Sequence, residues 1–334
     1  MRKFKLGIIG AGSIVEATHL PAISCAQQAE IAWIYDKNPQ RTQLVAKMYG
    51  LPVLQGNQVE KGLENVDVCL LATPYGVRKP YIDQCKRYET ALVVEKPFAF
   101  SVKEHLDHCD GFQEWEIAVN LQRRFYRSVA ILRRIIETRI FGKLQSIRFL
   151  QGNFSLKGGS GYLSDARLSG GGVIAESAIH ILDIILLITG AEEVTVRRMR
   201  AFHAGRLDYD ATFDSGIVAA GNHIDVDCQI TTLRNLDNGL QLRFENAVVA
   251  CDLSPDGEIF IRRGDDEKMS FALSIISEYQ DLALTATKIN EAFLVFWQQF
   301  LLGLDRQVPN PTSASGSLLT SAWMEGIYKS MNLA

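Results

Sequence analysis

Residues 5–12 read Lys-Leu-Gly-Ile-Ile-Gly-Ala-Gly, followed by Ser13-Ile14-Val15. An apolar run that ends in glycines predicts a strand buried on both faces, then a tight turn into a helix. Gly10 permits the turn. Gly12 lets backbone N–H groups approach a pyrophosphate, which the positive end of the following helix favours. Val15 stands where a third glycine or alanine would bring helix and strand close, so the turn alone is a weak fingerprint. Working outward, EIAWIYD (30–36) predicts a second strand ending at Asp36. A carboxylate there accepts hydrogen bonds from an adenosine ribose and repels a 2′-phosphate. Strand, turn, helix and acid together predict a dinucleotide site that favours NAD(H), while Lys37 and Arg41 keep NADP(H) open. The plain alternative for Asp36 is a turn acid ahead of Asn38-Pro39.

The alternation continues. PQRTQLVAKMYG predicts a helix stopped by Gly50, VDVCLLAT and TALVVEK predict strands, and VRKPYIDQCKRY predicts the helix between them. Strands alternating with helices imply right-handed βαβ units and a parallel sheet, so residues 1–121 are expected to form a doubly wound Rossmann-type α/β domain. Beyond it the rhythm changes. SVAILRRIIETRIFG predicts an amphipathic helix stopped by Gly142, KLQSIRFLQGNF a strand, and GGGVIAESAIHILDIILLITG a glycine-bounded helix. VTVRRMRAF, IDVDCQITTLRN, GLQLRFEN, AVVACDLS and GEIFIRRG follow as strands, with Asp237–Gly239 as a hairpin turn, before a helix over Ile289–Leu304. Residues 122–334 are therefore expected to form an α+β domain on a large, open, mostly antiparallel sheet.

The chain has 334 residues, 47% hydrophobic and 22% charged, with a formal net charge of −3. At roughly 150 residues per domain this length suits two domains. The composition excludes a disordered, collagen-like or coiled-coil chain. A net charge near zero gives no electrostatic footprint for nucleic acid or anionic lipid. IHILDIILLIT, interrupted by Asp183, is shorter than the about 20 residues a membrane span needs, and no membrane partner is expected. The apolar run in MRKFKLGIIGAG is too short for a secretory signal. The cysteines are spread without a CxxC pair, which suits a reduced cytoplasmic protein. The nearest approach to a metal motif is His105, His108 and Cys109, read as a solvated helix face, and no metal is expected.

Two places carry chemistry. Glu95-Lys96-Pro97 sits at the carboxyl end of a predicted buried strand, where open α/β sheets bind ligands. Burying a lone ammonium is costly, so Lys96 either has a partner or ligand, or reaches solvent from the strand end. Pro97 holds Lys96 extended and allows a cis bond. In the helix after Gly170-Gly171-Gly172, residues Glu176, His180 and Asp183 stand at i, i+4 and i+7 on one face of an apolar helix. Such a stripe must meet water, a partner charge or a ligand. The bland alternative is a core histidine satisfied by Asp183.

Taken together, GIIGAGSIVEATHLPAI, the Ala72-Thr73-Pro74 turn, Glu95-Lys96-Pro97, QRRFYRSVAILRRII, the glycine-led helix and FLLGLDRQVP with the terminal IYKS resemble the Gfo/Idh/MocA family, the glucose-fructose oxidoreductase and inositol dehydrogenase group. The resemblance implies a Rossmann domain followed by a domain whose open sheet supports homodimers or homotetramers. It implies an NAD cofactor, with NADP possible, held by Gly10, Gly12, Ser13, Ile14, Asp36, Lys37, Arg41, Thr73, Pro74, Tyr75, Glu95 and Lys96. The family's catalytic lysine, aspartate and histidine fall on Lys96, Glu176 and His180, with Asp183 as the trailing acid.

The implied reaction is reversible alcohol–ketone oxidoreduction on a small sugar-like or cyclitol substrate. Arg123, Tyr162, Arg167 and Asp183 join Lys96 and His180 as candidate substrate contacts; for Arg123 a structural ion pair is the equal alternative. Glu176 replaces the family's Asp, Ala178 its Gly, and Tyr75 and Arg78 stand where Asn and His are frequent. These departures keep open a second class, a non-catalytic NAD-binding sensor on the same fold.

Overall fold

The computed structural model describes residues 2–154, 161–263 and 285–331. The chain forms two compact units. The first comprises Met1–Ala99, Lys103–Gln122 and Ile289–Leu318; the second comprises Phe100–Val102, Arg123–Lys288 and Leu319–Ala334. The expected division into two contiguous segments at 121/122 is thus too simple, because Ile289–Leu318 returns to the first unit. The helix Ile289–Leu304 explains why: Ala292, Phe293, Phe296, Trp297, Phe300 and Leu301 repeat at helical spacing and are all buried. That stripe packs on the first unit's helix Leu20–Cys25.

In the first unit, β1 (Phe4–Ile9), β2 (Ala29–Tyr35), β3 (Val68–Leu71), β4 (Ala91–Val94) and β5 (Ile117–Val119) form one sheet in the order β2-β1-β3-β4-β5. Every pairing is parallel. The strand order reverses direction between β1 and β3, and ligands of such sheets bind beyond the strand carboxyl ends at that point. All four residues of β3 and of β4 are buried, as a sheet covered on both faces requires.

Local chemistry fixes the helix Pro39–Tyr49 at both ends. The Asn38 side chain accepts from Arg41 N–H, Pro39 opens the first turn, and Gly50 closes it in the left-handed conformation at φ 67°. The Pro/Ser cluster near residue 311 has a use of its own. Ala314 N–H donates to Ile117 C=O and Val119 N–H to Thr312 C=O, so this segment covers the edge strand β5.

In the second unit, β6 (Leu144–Gly152), β7 (Glu193–Ala204), β8 (Leu207–Ala219), β9 (Asn222–Thr231), β10 (Gly239–Phe244), β11 (Val248–Cys251) and β12 (Ile259–Arg262) form a sheet ordered β12-β11-β10-β6-β9-β8-β7. All its pairings are antiparallel except β6 with β9. The large, mostly antiparallel sheet is as expected, but the Asp237–Gly239 turn does not join neighbours: β9 and β10 lie on opposite sides of β6. The helix Arg127–Thr138 ends at Arg139, left-handed at φ 52°, and not at Gly142.

The helix Ile179–Thr189 is buried nearly all round. The helical run Ala166–Thr189 that contains it is long and apolar enough to cross a membrane, contrary to the reading of IHILDIILLIT as too short, yet 78% of its apolar window is buried within the protein. Its apolar surface is already covered by core packing. His105 and His108 also depart from expectation. They are 1% and 4% exposed, not on a solvated face: His105 Nε2 meets Ala314 C=O at 2.8 Å and His108 Nδ1 meets Phe98 C=O at 3.2 Å.

Candidate functional site

The carboxyl ends of β1, β3 and β4 bring three predicted elements to one edge of the first sheet: the glycine turn, the Thr73-Pro74-Tyr75 turn and Glu95-Lys96-Pro97. Gly10 adopts φ +110°, and a Cβ there would lie 2.4 Å from the Ala72 carbonyl oxygen, so glycine is required by both conformation and space. A Cβ on Gly12 meets no atom within 4 Å. Nothing in the protein's own packing demands glycine at that position, whereas close approach of a pyrophosphate does. Ser13 and Ile14 are exposed beside it. The Thr73 hydroxyl is buried without a hydrogen-bond partner among the described residues, the kind of orphan that a ligand satisfies. The residues present therefore fit a dinucleotide.

Asp36 uses both oxygens locally: Oδ2 accepts from Ala11 N–H and Oδ1 from Asn38 N–H, each at 2.8 Å. The carboxylate is thereby fixed against the glycine turn, while Lys37 beside it is exposed. Arg41 donates from Nε to Ala11 C=O at 2.7 Å and pairs with Glu16. The Tyr75 hydroxyl donates to Glu104.

The Lys96–Pro97 bond is cis. Its turn is braced by Arg78, a buried residue that sequence reasoning had noted only as a departure from family usage. Arg78 donates to the carbonyls of Thr73 at 2.9 Å and Pro97 at 2.6 Å, and to that of Glu95. A planar guanidinium can hold several carbonyls in one plane, which a histidine cannot.

Glu95, expected among the cofactor contacts, turns inward instead and is 7% exposed. Its Oε1 accepts from His19 at 2.8 Å and from Asn120 at 2.6 Å. Burial pushes this carboxyl up, but the hydrogen bond and field of the His19 ring, the charge of Lys96 and the Asn120 amide outweigh it and hold it below the ordinary range. His19 and Asn120 had no signal in the sequence, since each pairs with a residue far along the chain.

The second unit carries the other candidates. Val173 leads into a π-helical turn, Ile174–Ala178, that holds Glu176 and passes directly into the helix bearing His180 and Asp183. π-Helical turns are rare and recur at functional sites. His180 is 5% exposed. Asp183 does not serve it as a paired acid. Arg124 donates to both Asp183 oxygens, at 2.8 and 2.5 Å, and the Thr320 hydroxyl adds a bond at 3.2 Å. The two side chains are 9% and 3% exposed, so both Asp183 oxygens are engaged in an ion pair within the second unit.

The neighbouring Arg123 differs: burial lowers its basicity, the fields of Tyr126 and Glu176 oppose that, and its Nε has no hydrogen-bond partner among the described residues. Arg123 thus lies within the field of Glu176. Tyr162 is 44% exposed, and Arg167 is an exposed residue pairing with Asp165 at 2.8 Å. No group of three or more metal-ligating side chains occurs among the described residues.

Residues 4–121 match the model of an oxidoreductase family with an NAD-binding Rossmann fold, GFO_IDH_MocA. Over these residues the chain is similar to that family's NAD-binding domain. Its relatives include glucose-6-phosphate 3-dehydrogenase of Bacillus subtilis (strain 168), 26% identical over 203 residues, or 57% of this chain and 55% of that protein. The chain therefore spans about half the length of that relative. Inositol 2-dehydrogenase of Rhizobium meliloti (strain 1021) is 22% identical over 269 residues, 78% of this chain and 79% of that one. In fold, the chain is similar to the aldose-aldose oxidoreductase of Caulobacter crescentus, crystallised with glycerol. That structure aligns with a TM-score of 0.80 at 16% identity, covering 99% of this chain and 98% of the other.

Proposed function

We propose that this protein is an NAD-dependent dehydrogenase or reductase acting on a secondary alcohol or ketone carbon of a sugar, cyclitol or sugar derivative. The observation that carries the proposal is the treatment of Lys96. An ammonium stem is set at the carboxyl edge of the sheet, beside the dinucleotide turns, on a turn whose carbonyls Arg78 gathers and whose preceding carboxylate is locked by His19. Such pre-organisation suits a group that must meet developing charge on an oxygen.

In this reading His180 takes the proton of the substrate hydroxyl as general base. Lys96, by the family resemblance, stabilises negative charge on a substrate oxygen. Glu176 orients His180 or relays its proton, and Arg123, whose charge feels the field of Glu176, is a candidate contact for the substrate. Bound NAD supplies the hydride acceptor, and NADH the donor in the reverse direction.

The test is nicotinamide absorbance at 340 nm across a panel of aldoses, cyclitols and their phosphates. K96M is expected to lower kcat by about a hundredfold or more with little change in NADH affinity. Near-normal turnover by K96M sinks the assignment. The sensor reading rested in part on Arg78, and its role as a brace removes that support. Tight NADH binding with no turnover on any substrate is the result that would restore it. The family resemblance also implies self-association through the open sheet, which light scattering measures directly.

A further inference from the structure

Arg41 is the natural threat to NAD selectivity. It lies in the first turn of the helix that follows β2, next to Asp36, and in dinucleotide sites an arginine near this position accommodates a 2′-phosphate. Here its guanidinium is already spoken for. Nε donates to Ala11 C=O at 2.7 Å, and a terminal nitrogen pairs with the Glu16 carboxylate. Glu16 is in turn fixed from the far end of the same helix, where the Tyr49 hydroxyl donates to its backbone carbonyl at 3.1 Å. The pair is partly exposed, 27% for Arg41 and 29% for Glu16. Ion pairs of that exposure add little to stability. Their lasting consequence is where they put the charge.

We infer that Glu16 is a cofactor-selectivity residue: it holds Arg41 away from the 2′-phosphate of NADP(H), and so reinforces the repulsion exerted by Asp36. The inference rests on the dinucleotide reading of the first unit. It separates two roles that the sequence merges. Asp36 acts directly on the ribose hydroxyl or phosphate, and is itself anchored to Ala11 N–H. Glu16 acts through Arg41, which is anchored to the same residue's carbonyl, so acid and base flank Ala11 from one turn. Lys37 is exposed and next in sequence to Asp36, and provides the internal comparison, because it stays in place when Arg41 is changed.

The experiment is an equilibrium titration of purified protein with NADH and with NADPH, read by nicotinamide fluorescence and needing no substrate. Wild type is expected to prefer NADH. E16Q is expected to tighten NADPH about tenfold while moving NADH less than about twofold, since a freed guanidinium gains a phosphate partner worth that much. E16S should reproduce the gain. Raising salt from 50 to 500 mM should erase most of it, as for any exposed ion pair. In E16Q/R41M the gain should vanish although Lys37 remains. Unchanged NADPH affinity in both E16Q and E16S overturns the proposal, as does a gain that survives R41M. Wild type that binds neither nucleotide overturns the dinucleotide reading itself, a result distinct from a failed E16Q.

Discussion

Trp297 donates its indole N–H to Nδ1 of His19 at 3.0 Å. Indole nitrogen is a donor only, so Nδ1 must carry a lone pair and the ring proton sits on Nε2, which donates to Glu95. The orientation of the ring is thereby set by a helix that begins at Ile289, and its other nitrogen holds the carboxylate before Lys96. W297F should keep the packing against Phe296, Phe300 and His19 but leave Nδ1 unsatisfied. The expected cost is about 1–3 kcal/mol, read as a lower urea midpoint. Long-range nitrogen–proton NMR on the wild type should show His19 as the Nε2–H form at pH 7; the Nδ1–H form would refute the arrangement.

Acid should weaken the first unit through His105. Burial lowers its pKa from 6.5 to about 4, against the opposing pull of the Ala314 carbonyl. The unfolded chain therefore takes up this proton before the folded one does. The stabilisation is complete above about pH 6.5 and drains away as pH falls toward 4, on the order of 3 kcal/mol at most. H105Q, which can still donate to Ala314, should flatten the dependence of Tm on pH between 7 and 4.5. His108, lowered by burial as well, leaves a residual slope. An H105Q slope equal to that of wild type would show that this ring does not govern the acid response.

Those networks mark the boundary of what the sequence discloses. Gly10, Asp36, the Asn38-Pro39 cap, Gly50 and the helix Ile289–Leu304 were legible because each is a local preference written in adjacent residues. The strand β8 was missed. Its buried face is Asp208, Ala211, Phe213, Ser215, Ile217 and Ala219, in which small and polar residues dilute the alternation that betrays a strand. The Asp237–Gly239 turn announced a reversal, but turn chemistry does not say which strand becomes the neighbour. Among the candidate residues, Lys96 is marked by motif and Glu176 and His180 by spacing, and their roles stand as proposed. Arg78 was noticed without its purpose, because its partners are backbone carbonyls that leave no pattern in the sequence. Asp183 looked like part of a functional stripe, since nothing in its own helix reveals Arg124 and Thr320.

The Arg124–Asp183 pair yields a graded prediction. Two hydrogen bonds join the buried partners. R124A strands a buried carboxylate and should cost about 3–5 kcal/mol. R124K keeps the charge but cannot reproduce the fork, and should fall between wild type and R124A. Replacing both, as in R124M/D183L, should recover a large part of the loss because no charge is left unpaired. Urea denaturation of the four proteins decides it; a double variant as weak as R124A would mean that the pair contributes through shape and not through charge.

Asp208 anchors the start of the segment that carries Glu176 and His180. Its Oδ2 accepts from Ile174 N–H at 2.7 Å, while Oδ1 accepts from Gly172 N–H and from the Tyr328 hydroxyl, each at 2.9 Å. This carboxylate, supplied from β8, satisfies helix-start donors that no residue of the helix itself caps. The contact is tight enough to dictate sequence: a Cβ on Gly172 would lie 2.0 Å from the Asp208 carbonyl oxygen, and one on Gly171 would lie 2.0 Å from the Tyr328 hydroxyl.

G172A should therefore be the most damaging change, because backbone has to move. D208A should follow, at about 2–4 kcal/mol for several buried donors left unpaired. Y328F removes the bonds of the hydroxyl to Asp208 and to the Ala175 backbone and should cost about 1–2 kcal/mol. Hydrogen exchange adds a readout that packing alone would not move. In D208A the amides of Gly172 and Ile174 should lose protection, whereas in Y328F they should keep it, since Asp208 still accepts from both. Equal loss in the two variants would show that Tyr328, and not the Asp208 carboxylate, holds the helix start in place.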